Sequence, residues 1–334
     1  MQSSIYLEGL LYLLESKFEK TIEKFKVAIE TGDLSVCDYI LLGSVLRKNR
    51  EINKAVYIHE SLVDKKDLNK SLSYILYFEL LKDYYQAEEF SKALFYANKL
   101  LGFNKSADIF KYIFKIKVKL QEYDEAIKYA EQYQRLSKNI LSKEMSYIYV
   151  LKYEKLLAEG KNEEGLIKKA LKLNPLSRQG NFKVYKGVIS SKNRNKIIQM
   201  LNTLIEKDVI RNMNDIKVIE DDMFALDMFE DFEKIILKAV AQNHKNPIYH
   251  IYVSKILSKR GEIDKAKGIL TNYLQNINKV EIVKNSYIDL TLDDEIKDSF
   301  KNSYIYICKN CQSNFANYID ECVNCEGIET LDFA

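Results

Sequence analysis

Over residues 1–279, apolar and small side chains recur at helical spacing. They fall into short runs that come in pairs, about 34 residues from one pair to the next. The clearest pair is VCDYILLGSVLRKNREINKAVYIHESL, residues 36–62. Its first run needs a small residue at Leu42-Gly43 where a neighbour approaches, and Ala55 sits where the second run crosses the first. The opening stretch places Gly9, Tyr12, Phe25 and Ala28 at matching positions. Later copies place Ala93 and Ala97, then Ala126 and Ala130. Further copies place Ala170 followed by Pro175, and Gly261 followed by Ala266. Residues 178–243 keep the rhythm but match the pattern poorly, and the whole comes to about eight helical pairs.

This is the tetratricopeptide pattern, in which helix A of each pair packs on helix B through small residues. It predicts an all-α superhelix over 1–279. Only 2 prolines and 11 glycines punctuate the 334 residues, too few for a long sheet protein. Such arrays present a concave face, formed mainly by the A helices, that takes up peptides or helices of other proteins. Tyr12, Tyr39, Arg47, Tyr77, Lys111 and Lys115 lie on A-helix stretches and are candidates to line it. Most of the 24 tyrosines are read as ordinary packing. His244 and His250 flank a pair boundary near Pro247 and are given no role.

The end of the chain differs from the rest. Of 5 cysteines, Cys308, Cys311, Cys322 and Cys325 fall within residues 306–325 as two CxxC pairs. Each CxxC can turn tightly and aim two sulfurs to one side, and two such knuckles enclose one ion tetrahedrally. Four thiolates leave no open coordination position, which points to a structural site and away from metal-assisted hydrolysis. A redox dithiol or two disulfides would each explain one pair without needing both. Zinc and iron both accept four thiolates, so the spacing leaves the metal open. Tyr304, Tyr306, Phe315 and Tyr318 surround the knuckles as a small aromatic core of the rubredoxin kind. A unit of this size needs the ion and a neighbour for its stability. Cys37, alone near a helix start, is read as a partly buried thiol.

Charge sharpens the picture. The formal net charge is +3, but residues 302–334 carry Lys309 against Asp320, Glu321, Glu326, Glu329 and Asp332. An acidic tail unit on a basic body predicts that the knuckles dock on the array. One lysine on the metal unit also argues against nucleic acid, whose binding needs basic residues there. No apolar run reaches the ~20 residues of a membrane helix, and no secretory leader is present, so the thiols are expected in a reducing cytosol. No phosphate loop, nucleophile elbow or HExxH occurs, and no enzymatic activity is expected.

The order of parts resembles the lipopolysaccharide assembly protein B family (LapB, also called YciM). The opening YLEGLLYLLESKFEKTIEKF is similar to the family's first repeat. The LLGSVLRKNREINKAVYIHESL stretch resembles a family segment at Leu42, Gly43, Arg47, Glu51, Ala55, Ile58 and His59. The stretch from Tyr306 to Cys325 has the family's knuckle spacing. The resemblance implies three parts: an array over 1–279, a helical link over 280–301 and a rubredoxin-like domain over 302–334. It implies a regulatory scaffold at the cytoplasmic face of the inner membrane. That scaffold would help present the deacetylase LpxC to the membrane protease FtsH and so restrain lipopolysaccharide synthesis. Tyr39, Arg47 and His59 are the candidate partner contacts. A rubredoxin-type electron carrier, or an adaptor with other partners, is the alternative. The chain departs from the family in several ways. It starts directly in the first repeat, where the family has a membrane helix, so an anchor was trimmed or is lacking. Gln312 replaces the usual glycine, Ile319-Asp320 stand near the family's missing tryptophan, and the link around TLDDEIKDSF is shorter. Oligomeric state is left open.

Overall fold

The paired apolar runs form paired helices. A computed structural model describes residues 4–15, 17–30, 35–65, 68–242, 244–276, 280–291 and 305–334. Tyr304 and residues 292–301 of the link read over 280–301 lie outside the described residues. The described residues contain eight consecutive helix pairs. The first four are α1 (Ser4–Leu14) with α2 (Phe18–Glu30), α3 (Val36–Lys48) with α4 (Ile52–Glu60), α5 (Lys70–Gln86) with α6 (Phe90–Leu101), and α7 (Ala107–Lys119) with α8 (Tyr123–Ser137). They lie in one compact unit, residues 1–141.

The second unit, residues 142–334, holds the other four pairs. These are α9 (Ser142–Ala158) with α10 (Glu164–Leu173), α11 (Arg178–Ser190) with α12 (Arg194–Glu206), α13 (Met213–Ala225) with α14 (Phe229–Ala241), and α15 (Pro247–Lys259) with α16 (Ile263–Asn276). A last helix, α17 (Glu281–Thr291), follows. The chain ends in three short strands, β1 (Tyr306–Cys308), β2 (Asn314–Phe315) and β3 (Leu331–Phe333), in antiparallel order β2-β1-β3. The protein is thus an array of tetratricopeptide-type helical pairs ending in a small rubredoxin-like knuckle. The stretch 178–243, weak in sequence, supplies the two regular pairs α11–α14.

The turn inside each pair is built in one way from α3 onward. A residue in left-handed backbone conformation closes helix A at Arg50, Glu88, Gln121, Gly160, Lys192, Asp227 and Gly261. In six of these turns the next N–H reaches back to a carbonyl in the last turn of helix A, as from Glu51 to Leu46, Glu89 to Tyr84 and Glu262 to Leu257. This closure satisfies carbonyls that the helix end would otherwise leave bare. At the other end, helices A are capped by short polar side chains. Asn69, Ser177, Asn212 and Asn246 each accept from an N–H of the first turn.

The small residues of the pattern mark where helices touch. Ala28, Ala55, Ala93, Ala97, Ala126, Ala130, Ala170 and Ala266 are all fully buried. A Cβ built on Gly9 would stand 2.8 Å from the Phe25 ring, so only glycine lets α2 lie that close to α1. In the second unit, the apolar faces of α11–α17 merge into one core around Tyr185, Leu204, Ile219, Phe232 and Tyr249. Ile305 and Phe333 of the knuckle pack against that core. The Glu281 N–H at the start of α17 donates to the carbonyl of Ala334 (3.1 Å), tying down the chain end.

Candidate metal centre and its docking seam

The two CxxC segments form matching turns. In each, the residue after the second cysteine takes a left-handed conformation, Gln312 at φ 60° and Glu326 at φ 56°. Its N–H donates to the carbonyl of the first cysteine, at 2.9 Å for Gln312 to Cys308 and 2.7 Å for Glu326 to Cys322. The turn folds the second thiol back beside the first. Glycine is the residue that adopts this conformation without strain.

The four sulfurs lie within 4.8 Å of one another. The Cys308 and Cys325 sulfurs stand 3.7 Å apart, as do those of Cys311 and Cys322. A tetrahedral ion with metal–sulfur bonds of about 2.3 Å requires sulfur–sulfur edges of about 3.8 Å, so the cluster can hold one metal ion. The thiols are tuned unequally. Burial opposes the Cys308 thiolate, yet the Thr330 hydroxyl at 3.1 Å and the N–H groups of Cys311 and Asn310 outweigh it and bring its pKa down to about 6. The Ser313 hydroxyl and N–H lower Cys311. Burial pushes Cys325 up to about 12 and also raises Cys322. Metal binding replaces protons on such thiols, and the ion repays the burial of the less acidic pair. Cys308 and Cys322 are buried, whereas Cys311 is exposed. Tyr306 anchors the aromatic core, with ring centroids 5.7 Å from Tyr318 and 5.3 Å from Phe333, while Phe315 packs beside it.

The acidic knuckle does meet the helical pairs of its own unit, and one side chain organises the contact. Arg178 opens α11. Its Nε donates to both carboxylate oxygens of Asp215 on α13, at 3.2 and 3.0 Å, and its NH1 donates to Asp320 of the knuckle at 3.0 Å. The guanidinium also lies over the Tyr318 ring, 5.6 Å from its centroid. Burial disfavours its charge, but the Asp215 hydrogen bond and the charges of Asp215 and Asp320 outweigh that and raise its pKa. The Arg178 N–H donates to Glu329 Oε1 at 2.7 Å, and Asn174 Nδ2 donates to Glu329 Oε2 at 3.0 Å. Gln179 donates to Asp320 at 3.0 Å, and the Tyr306 hydroxyl donates to the Arg211 carbonyl at 3.0 Å. Charge complementarity is thus concentrated on one arginine. Asp332 instead pairs with Lys309 inside the knuckle, at 2.7 Å. Sequence reasoning anticipated the docking and missed Arg178 and Asp215, whose stretch shows no distinctive motif.

The other candidates lie in the first unit. Arg47 is 8 % exposed and His59 fully buried. Arg47 donates to Asp83 Oδ1 (2.6 Å) and forms a second ion pair with Glu79. His59 contacts Asp83 through Nδ1 and the Ile40 carbonyl through Nε2, at 2.5 and 2.9 Å, so both ring nitrogens face acceptors. Glu79 also accepts from Ser44 (2.7 Å) and Lys82 (2.6 Å). Burial opposes its ionisation, but Arg47, Lys82 and Ser44 hold it down to about 2. This network ties α3 and α4 to α5. The hydrogen-bonding groups of Arg47 and His59 are therefore spent inside the fold. Tyr39 is half-buried on α3. Cys37 is exposed, contrary to the partly buried thiol expected, because it falls on the outer side of the first turn of α3. Among the described residues, no helix is long and apolar enough to cross a membrane.

A string of helical pairs that ends in a four-thiol knuckle docked on its own array defines a repeat-scaffold class of protein. No family model matches the chain. The chain is similar to lipopolysaccharide assembly protein B from Escherichia coli K12, with 19% identity over 345 residues, covering 98% of this chain and 88% of that protein. The protein of the same name from Escherichia coli O157:H7 matches at the same 19% identity. Among solved structures, YrrB, described as a TPR protein with an unusual peptide-binding site, has 18% identity and a TM-score of 0.38. It covers 59% of this chain and 97% of its own. A tetratricopeptide repeat protein from Parabacteroides merdae has 16% identity and a TM-score of 0.32, covering 86% of this chain and 98% of its own.

Proposed function

We propose that this protein is a non-enzymatic interaction scaffold resembling lipopolysaccharide assembly protein B. In this reading the helical pairs over 1–279 bind proteins, 280–301 is a link, and the knuckle over 302–334 is a structural module. Cys308, Cys311, Cys322 and Cys325 would hold one zinc or iron ion, which supplies a four-point crosslink to a unit too small to be stable by burial alone. Arg178 and Asp215 seat that unit on α11 and α13, so metal loading and the integrity of the second unit's surface are coupled. The specific role proposed is restraint of lipopolysaccharide synthesis at the cytoplasmic face of the inner membrane, by helping to present LpxC to FtsH.

The observation that carries this reading is the similarity to lipopolysaccharide assembly protein B across 98% of the chain, array and knuckle together. It is tested by affinity capture from membranes of the source cell, with the wild type compared against Cys308→Ser, Cys311→Ser. Recovery of FtsH or LpxC by the wild type, reduced in the variant, is the expected result. A capture that returns neither protein overturns the LpxC–FtsH role. Metal analysis of the purified chain, expected at one zinc or iron per chain, tests the structural ion separately.

A further inference from the structure

Beside the seam runs a crevice of about 230 Å³, walled by the knuckle on one side and by α9, the α10–α11 loop, α11 and the loop before α13 on the other. Four cations line it: Lys143, Arg178, Arg211 and Lys309, against the carboxylates of Glu329 and Asp332. Two of the cations are already answered. Arg178 is held by Asp215 and Asp320, and Lys309 by Asp332. The other two are not. Among the described residues, the Lys143 ammonium reaches only the Glu329 carbonyl oxygen, at 3.5 Å. Among the described residues, the Arg211 guanidinium has one ion pair, a long 3.6 Å contact to Asp208.

We infer that this crevice is a binding site for a single small oxyanion group, a carboxylate or phosphate, held between Lys143 and Arg211. Size and chemistry agree. The volume is below the roughly 300 Å³ at which drug-sized ligand pockets begin, yet holds several waters' worth of space at about 30 Å³ each. A guanidinium fork and a mobile ammonium are the donors suited to oxyanions, and a partly enclosed site strengthens their pull over that of open surface charges. The Tyr318 ring and the Asn310 amide line the same space, so the first knuckle turn forms part of the wall. The site does not depend on the adaptor role.

The test is isothermal titration of the metal-loaded full chain with inorganic phosphate and, separately, with aspartate blocked at both backbone ends. Two charge-assisted contacts predict binding near 1 mM for at least one probe, weakened about tenfold for each cation removed. Lys143→Gln, Arg211→Gln should therefore lose measurable binding. The control Lys234→Gln, Lys265→Gln, which removes equal charge from exposed positions of the same unit, should retain it. Lys143→Gln alone repeats the test at an exposed side chain whose loss does not threaten folding. Phosphate binding without aspartate binding identifies a free-anion site. Binding of the blocked aspartate identifies a seat for an acidic side chain. Failure of both probes to bind the wild type, or equal binding by the two double variants, overturns the inference.

Discussion

Gly43 and His59 make a sharp test of how the second helical pair is held. A Cβ added at Gly43 would stand 2.4, 2.6 and 2.8 Å from Nε2, Cε1 and Cδ2 of His59, inside any real contact distance. The ring is fully buried and fixed at both nitrogens, so it cannot yield without releasing Asp83 and the Ile40 carbonyl. Gly43→Ala should gain about 1 kcal/mol of helix propensity. It should lose more, because overpacking costs about 1–3 kcal/mol and each hydrogen bond to a charged group about 1.5–3 kcal/mol. A net destabilisation of about 3 kcal/mol is expected. His59→Ala, which leaves a cavity and a carbonyl without its partner, should cost about 3 kcal/mol as well. The double variant is the decisive case. With the ring gone, the new methyl enters vacated space, so the pair should cost about as much as His59→Ala alone, a coupling of about 3 kcal/mol. Urea unfolding followed by circular dichroism, with hydrogen exchange read on α3–α5, measures all three. Additive losses in the double variant would refute the packing argument.

Three further outcomes are expected. The left-handed turn residues Glu88, Lys192 and Asp227 carry a Cβ where glycine is unstrained, so replacing each by glycine should raise stability by about 0.5–1 kcal/mol, whereas Gly261→Ala should lower it by about 1 kcal/mol, as thermal melts will show. Arg178→Ala strips a buried carboxylate, Asp215, of its partner and removes the bridge to Asp320; it should cost about 3–5 kcal/mol and open residues 305–334 to protease, which limited proteolysis reads directly. Burial raises the Glu329 carboxyl above its ordinary pKa, so its contribution to stability is fully present below the ordinary carboxylate range and is lost as pH rises through the raised value. Glu329→Gln should therefore gain in melting temperature on the wild type as pH rises above the ordinary carboxylate range, and a constant difference would count against a raised carboxyl.

What the sequence revealed and what it hid divide along physical lines. Small residues at contact points were legible because one residue carries the information: Ala55 and Ala126 read as crossings and are fully buried. The four cysteines were legible for the same reason, since two CxxC spacings mark the segments whose sulfurs the fold brings within 4.8 Å. Residues 178–243 were obscure because α12 contains no alanine and buries Ile197, Met200 and Leu201 instead, so no small residue marks its crossing. Arg178 could not be singled out. Its partners lie 37 and 142 residues away, and nothing local distinguishes it from other lysines and arginines of a basic body. The docking of an acidic tail was visible in the charge distribution, but its focus on one guanidinium was not.

The stretch that most resembles a known family also changes meaning once its surroundings are in place. Leu42, Gly43, Arg47, Ala55 and His59 are all buried, and the polar ones among them bond to Ile40, Glu79 and Asp83. Their shared chemistry therefore specifies how the second helical pair locks onto α5. It leaves little of these side chains for a partner to touch. Tyr39, half-buried on α3, is the candidate left for a surface role in this region. The two roles separate by experiment. Arg47→Ala leaves the buried Asp83 with an unanswered charge, so melting temperature and partner capture should fall together. Tyr39→Ala should reduce capture while the melting temperature stays nearly unchanged, because aromatic contact residues act in the complex and contribute less to the free fold. If Arg47→Ala abolished capture at full stability, the lock would be a contact surface after all, and the interior reading of this stretch would fail.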